Sequence, residues 1–275
     1  MIWLAPAKLN LFLHILGRRP DGYHNLQTVF QLIDYCDELQ FEIQTDPNIE
    51  INLQITDNLV IRAARLLQQT YQCPLGAKIQ LYKRIPIGGG LGGGSSNAAT
   101  TLLALNQLWG LNKPMDELAE LGEQLGADVP VFIKGRTAWA EGIGEQLTPI
   151  SLPEIWYVVM VPPCTVSSAE FFSLSELTRN TPAITIQQFL SKQVLTRNDF
   201  EIVACKRYPL VASALQWLNQ FAEARLTGSG SCVFAMFKDE GEAYAVQQQV
   251  AAPYTSFVAR GIEYSPVLSW GVAKR

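Results

Sequence analysis

Between Gly88 and Gly94 glycine occupies six of seven positions, interrupted only by Leu91, and Ser95, Ser96 and Asn97 follow directly. Glycine loses more backbone freedom on folding than any other residue, so this density needs a reason. The stretch "AKIQLYKRI" before it alternates as a strand does, and apolar residues after it recur at helical spacing. The loop therefore joins a strand to a helix N-terminus. There the first N–H groups lack intrahelical partners and the macrodipole is positive. Glycines allow N–H groups to converge on an anion, and the serine and asparagine side chains add donors. A polyphosphate fits this chemistry; on its own, the run also reads as a tightly packed turn. It is not a GxxxxGK[ST] loop, because no lysine precedes Ser95 or Ser96. The dinucleotide pattern GxGxxG is met by Gly88, Gly90 and Gly93, but the first acid beyond it, Asp116, falls at a helix start. No HRD or DFG follows, which removes the protein-kinase pattern.

The elements that must carry this loop are a mixture of strands and helices. "KLNLFLHIL" alternates well enough for a strand, "ELQFEIQ" and "IEINLQI" alternate more cleanly, and "TAWAEG" and "WYVVMV" also read as strands. "DNLVIRAARLLQQTY" is a helix with Asp57 or Asn58 as cap and Val60, Ala63, Ala64 and Leu67 on its inner face. After the glycines, Ala98, Leu102, Leu105, Leu108 and Trp109 line a second helix that Gly110 stops. A third begins near Pro114, with acids in its first turns. Helices follow near "ITIQQFL" and "PLVASALQWLNQFAEA". A second glycine-rich turn, "LTGSGSCVFAMF", leads into a strand, and the segment from Pro149 to Pro153 is the expected domain boundary.

With 275 residues the chain makes one large or two medium domains. Its 48% hydrophobic and 17% charged residues suit a globular protein, and the net charge of −4 disfavours nucleic acid or an anionic membrane as partner. Five scattered cysteines without a CxxC pair fit reduced thiols, and two histidines, His14 and His24, do not make a histidine metal cluster. The apolar N-terminus has no basic n-region and is interrupted by Lys8, so it does not read as a signal peptide, and no stretch of about twenty apolar residues occurs. The expected compartment is the cytoplasm.

Three separated segments, "PAKLN" (Pro6 to Asn10), "PIGGGLGGGSS" (Pro86 to Ser96) and "LTGSGSCVF" (Leu226 to Phe234), resemble the three signatures of the galactokinase, homoserine kinase, mevalonate kinase and phosphomevalonate kinase (GHMP) superfamily. "GRRPDGYHNLQT" from Gly17, "DNLVIRAARLL" from Asp57 and "LGADVPVF" from Leu125 are similar to its branch acting on 4-diphosphocytidyl-2-C-methyl-D-erythritol. The ordered set covers nearly the whole chain. The resemblance implies a two-domain α+β fold: an ATP-binding half resembling ribosomal S5 domain 2 over residues 1–150, a ferredoxin-like half over 151–275, and the active site in the cleft between them. It implies transfer of a phosphoryl group from ATP, with Mg²⁺, to the 2-hydroxyl of the methylerythritol moiety in isoprenoid precursor synthesis. Lys8 and Asp128 would form the catalytic pair, with Asn10 close by. Pro86, Ile87, Gly88, Gly89, Gly90, Leu91, Gly92, Gly93, Gly94, Ser95 and Ser96 would hold the phosphates, with Asn58 and Lys83 near the adenine. Tyr23 and Phe172 would cover the two faces of the cytosine, His24 would hold it at its edge, and Ser168 would supply a polar contact where threonine is more usual. The resemblance names no metal ligands.

Those roles are physically coherent. Phosphoryl transfer depends on positioning and charge stabilisation. Asp128 can accept the hydroxyl proton late, as bond formation acidifies the oxygen, while Lys8 keeps it ionised and offsets charge on the moving group. Each aromatic stack on a base contributes roughly 1–3 kcal/mol. Taken singly, each residue has a plainer reading: Lys8 a strand lysine at a solvent edge, Asp128 a turn or cap residue, Tyr23 a turn-flanking aromatic, Phe172 a core residue. Alternative functions are another small-alcohol kinase of the superfamily, a nicotinamide-dependent oxidoreductase using the GxGxxG match, and a non-catalytic RNA-binding module.

Overall fold

The computed structural model describes residues 1–53, 57–166 and 168–271. Its framework is a pair of long antiparallel strands, β1 (Ile2–Arg18) and β2 (His24–Gln44), joined by a tight turn in which Gly22 has a positive φ. Most of both strands is buried on both faces. This removes the alternation by which a half-exposed strand is recognised, and it explains why β2 is legible in the sequence only at its "ELQFEIQ" end. The ladder shifts register between Asn10 and Leu13, a bulge that leaves Leu11 and Phe12 without partners across the pair.

On its other edge β2 meets three strands in turn. β4 (Gly76–Tyr82), which carries the parallel β3 (Ile49–Ile51), runs along residues 38–44 of β2. β5 (Ala138–Glu141), hairpinned with β6 (Gln146–Pro149), pairs near Val29. Between them β10 (Thr255–Ile262) joins β2 at Ile33 and Leu32. The second half contributes β7 (Trp156–Val161), β8 (Ala224–Leu226) and β9 (Val233–Phe237), and β10 pairs with β7 as well. One sheet, in the order β3-β4-β2-β10-β7-β9-β8, thus runs through the molecule.

Helices α1 (Leu59–Thr70), α2 (Gly93–Leu108), α3 (Met115–Glu123) and α4 (Val129–Lys134) pack their apolar residues with Leu39, Ile79 and Leu81 in one core. The face foreseen for α1, Val60, Ala63, Ala64 and Leu67, is the buried one, and Asn58 caps it by accepting from Val60 N–H at 3.0 Å. Gly110, past the end of α2, has φ +69°. In the second half come α5 (Ser168–Ser173), α6 (Ile186–Leu190), α7 (Glu201–Arg207), α8 (Pro209–Leu218) and α9 (Glu240–Gln247). α7, α8 and α9 enclose a second core with Val158, Met160 and Ala235. A third cluster joins the halves: Leu9, Phe12, Ile33 and Trp139 against Tyr157, Val159, Phe234 and Ala259. The chain then returns to the first half, where Val267 and Leu268 enter its core.

Candidate active site

Lys8 and Asn10 stand two apart on β1, so their side chains leave the same face of the strand. That face is interior. Lys8 is 3% exposed, which overturns its plain reading as a solvent-edge lysine. A buried ammonium persists only when its donors are taken up. Here Nζ donates to Asn10 Oδ1 at 2.5 Å and to the Gly90 carbonyl at 2.9 Å, and Asp128 Oδ2 lies 3.4 Å away. The Phe30 ring, centred 5.4 Å from Nζ, adds a cation–π contact. Asp128 immediately precedes α4; it makes no capping bond, and its side chain is one-third exposed. Its carboxylate is thus available to a second partner.

The glycine loop enters this site carbonyls first. The Gly89 carbonyl accepts from Cys232 N–H (3.1 Å), that of Gly90 from Lys8 Nζ and the Thr227 hydroxyl (3.3 Å), and that of Leu91 from Lys8 N–H (3.0 Å). Among the described residues, no protein acceptor takes the N–H groups of 88–95. A strand-and-turn clamp thereby holds one side of the loop and leaves a run of donors on the other. Beside them is a cleft of about 310 Å³ lined by Asn58, Leu59, Leu81, Lys83, residues 86–94, Ser95 and Asn97. Every residue assigned to ATP from the sequence lines it except Ser96, which is buried at the start of α2 with its hydroxyl unpartnered, as is Asn97 Oδ1.

The loop's glycines answer to the protein as well as to an anion. At Gly90, φ +77°, a Cβ would lie 2.1 Å from the Thr227 carbonyl oxygen; at Gly92, φ +70°, it would strike Phe132 at 2.8 Å and crowd Lys8 Cε at 3.1 Å. A side chain at either position disrupts the packing of the site before it reaches a phosphate.

Lys83 is held by Asp37, which is fully buried and also accepts from Arg84 N–H (2.7 Å) and Ile85 N–H (2.8 Å). Asp37 anchors the segment that feeds the loop, and no pattern in the sequence marks it.

A second cluster forms where the turn before β2 faces α5. Tyr23 is 62% exposed at the turn. His24 stacks on Phe172, with centroids 4.7 Å apart and planes 17° from parallel. Arg179 donates to His24 Nε2 at 3.1 Å and to the carbonyls of Phe172, Leu174 and Leu177. Because Nε2 accepts, Nδ1 carries the ring proton. Burial, then the neighbouring Arg179 and Arg18, pull the His24 pKa below the ordinary 6.5, which keeps the ring neutral. Arg179 was missed in the sequence because its partner lies 155 residues away. The backbone of Ser168 opens α5, but its side chain lies outside the described residues.

The chain matches the model of the GHMP kinases N terminal domain over residues 58–136 and that of the GHMP kinases C terminal domain over 189–256. It is 51% identical over 271 residues to the 4-diphosphocytidyl-2-C-methyl-D-erythritol kinase of Aromatoleum aromaticum, covering 97% of this chain and 95% of that one. To the protein of the same name from Alkalilimnicola ehrlichii it is 54% identical over 271 residues, covering 97% and 92%. Among solved structures it is similar to a crystal structure of 4-(cytidine 5'-diphospho)-2C-methyl-D-erythritol kinase, with TM-score 0.84 and 32% identity over 95% of this chain and all of that one. A mevalonate kinase shares the fold alone, with TM-score 0.68 and 16% identity over 96% of this chain and 99% of that one.

Proposed function

The chain belongs to the GHMP kinases, in their 4-diphosphocytidyl-2-C-methyl-D-erythritol kinase branch, and on that premise we propose that it moves the γ-phosphoryl group of ATP onto the 2-hydroxyl of that substrate. It is a phosphotransferase with an alcohol acceptor and has the two-domain α+β fold of its family. The observation that carries the mechanism is the buried ammonium of Lys8, set between the Asp128 carboxylate and the carbonyl of Gly90, which itself lines the cleft. The unpaired N–H groups of the loop bind the phosphates. Asp128 turns toward the acceptor hydroxyl and takes its proton, and Lys8 offsets negative charge on the transferring group.

Mg²⁺ suits the residues present. Ser96 Oγ and Asn97 Oδ1 are buried without partners, and Asp128 offers a carboxylate. Among the described residues no three His, Cys, Asp or Glu side chains gather to hold a metal by themselves; Mg²⁺ here would be bound chiefly by phosphates and water. When bound it neutralises phosphate charge.

Tyr23, His24 and Phe172 form the base site. His24 already covers one face of the Phe172 ring, so a cytosine stacked on Phe172 takes the opposite face or displaces the His24 ring. The free cysteines Cys36, Cys73, Cys164, Cys205 and Cys232 fit a reducing cytoplasm.

Assay of ADP release with cytidylyl-methylerythritol, mevalonate and homoserine tests the assignment. Turnover is expected with the first alone; turnover with either of the others in its place overturns it. Tyr23→Leu should raise KM for the cytidylyl substrate by a factor matching roughly 1–3 kcal/mol and spare KM for ATP, and Tyr23→Phe should cost far less. Equal losses toward both substrates would put Tyr23 in the fold and not in the base site.

A further inference from the structure

Asn10 is 2% exposed and hydrogen-bonded at both ends of its amide. Oδ1 accepts from Lys8 Nζ at 2.5 Å, and Nδ2 donates to Thr28 Oγ1 at 2.9 Å. Thr28 is 1% exposed, and its own hydroxyl proton goes to the Phe12 carbonyl at 2.5 Å. That carbonyl is open to it because Phe12 sits in the β1 bulge, outside the ladder. A hydroxyl has one proton to give. With that proton on Phe12, Thr28 presents only a lone pair to Asn10, and the amide must point its NH₂ group that way. Its carbonyl oxygen is then the atom facing Lys8. The reverse orientation would set an NH₂ group against an ammonium at the Lys8 end and a carbonyl oxygen against a lone pair at the Thr28 end. The backbone of Asn10 is fixed independently, its N–H donating to Thr227 Oγ1 at 3.0 Å.

We propose that Thr28 is a positioning residue for phosphoryl transfer: its hydroxyl selects the orientation of the Asn10 amide and so fixes where the Lys8 ammonium stands. The inference rests on the role given to Lys8 above. Thr28 itself binds neither Lys8 nor Asp128, and it acts through two hydrogen bonds. Removing its hydroxyl leaves Asn10 Nδ2 and the Phe12 carbonyl buried and unpaired, and the amide loses its reason to prefer one orientation. The ammonium then shifts or fluctuates beside the reacting atoms, and such misplacement is expressed in kcat and not in ground-state binding.

Thr28→Val changes the hydroxyl to a methyl at nearly constant shape. In steady-state kinetics it should lower kcat by up to roughly 10²-fold, with KM for ATP and for the cytidylyl substrate little changed. Thr28→Ser, which keeps the hydroxyl, should recover most of that loss. In an Asn10→Ala background Thr28→Val should have no further effect on kcat, because the residue through which it acts is gone. An unchanged kcat in Thr28→Val, a loss that adds in full to that of Asn10→Ala, or a rise in KM alone would overturn the proposal. A readout without turnover keeps the question open to decision whatever the substrate or the stability of the valine variant. In ¹H–¹⁵N spectra the Asn10 side-chain NH₂ of the wild-type chain and of Thr28→Ser should exchange slowly with solvent, and in folded Thr28→Val it should exchange fast. Fast exchange in the wild-type chain overturns the role of Thr28 by itself. Absence of turnover with the cytidylyl substrate, with slow exchange intact, overturns the substrate assignment instead.

Discussion

Lys8 is held by three acceptors that differ in kind. Asn10 and the Gly90 carbonyl are neutral and within 2.9 Å; the Asp128 carboxylate is farther, at 3.4 Å, and its side chain is one-third exposed. The carboxylate is therefore the partner that can turn to a substrate hydroxyl without stranding the buried ammonium. Breaking a fully buried ion pair costs about 3–5 kcal/mol, but at this half-open pair two neutral acceptors stay in place. Asp128→Asn should accordingly fold normally and bind ATP and substrate near wild-type levels, while kcat falls roughly 10²–10⁴-fold. Single-turnover kinetics together with a thermal melt checks both halves of that statement. Near-full turnover in the variant would make Asp128 a structural residue.

At the scale of the element, the glycine loop is held through its carbonyls and, among the described residues, left free at its N–H groups. This division comes from β1, through Lys8, and from the β8–β9 turn, through Thr227 and Cys232. Substitutions at Gly90 or Gly92 collide with that clamp and cannot report on the nucleotide. Gly94 differs. It lines the cleft, its φ is not in the left-handed region, and the nearest atom to an added Cβ is the Leu59 Cδ1 methyl at 3.4 Å, an ordinary contact. Gly94→Val should thus leave the fold intact and fill space on the nucleotide side. The expected outcome is a KM for ATP raised roughly 10-fold or more, with KM for the alcohol substrate unchanged. Isothermal titration with ATP gives the same answer without turnover. An unaltered ATP affinity would show that the cleft is not the nucleotide site.

Across the whole molecule, both histidines lie at contacts between the two halves. His14 on β1 accepts from Arg197 N–H at 3.4 Å through Nε2, and its Nδ1 is buried without a partner. His24 accepts from Arg179. Burial is the main cause that lowers the His14 pKa below 6.5; Asp199 opposes it, and Arg197 and Arg225 reinforce it. The His24 pKa is lowered in the same direction, by burial first and then by Arg179 and Arg18. A folded-state pKa below the unfolded value means that the unfolded chain binds more protons in the interval between them. The stability contributed by neutral histidines is therefore present above about pH 6.5 and is lost as pH falls through the lowered folded-state values. Urea midpoints measured between about pH 7.5 and 5 should decline toward acid, and the decline should be shallower in a His14→Gln/His24→Gln double variant. An equally steep decline in the double variant would assign the acid sensitivity to other groups.

The residues themselves determined whatever repeats over a few positions. The buried face of α1, its Asn58 cap, the stop at Gly110, and the glycine loop between β4 and α2 are all legible locally, because a helix or half-buried strand writes its contact with solvent into the chain at a short period. The motif set around Lys8, the loop and Asp128 was legible by resemblance, and the structure brings those residues within contact of one another. Tertiary structure alone decided the rest. β2 is buried on both faces along its middle and so shows no alternation there, and the burial of Lys8 depends on strands and loops that close over it from far along the chain. Asp37 beneath Lys83 and Arg179 beside His24 are polar residues of ordinary type at unremarked positions, and Thr227 on Asn10 and Thr28 at the end of the Asn10 amide stand in recognisable motifs that assign them no role. What distinguishes them is a partner: 46, 155 and 217 residues away for the first three, and 18 for Thr28. A hydrogen bond across that distance leaves no periodic trace in sequence, since only folding supplies the neighbour and removes the water that would otherwise satisfy both groups.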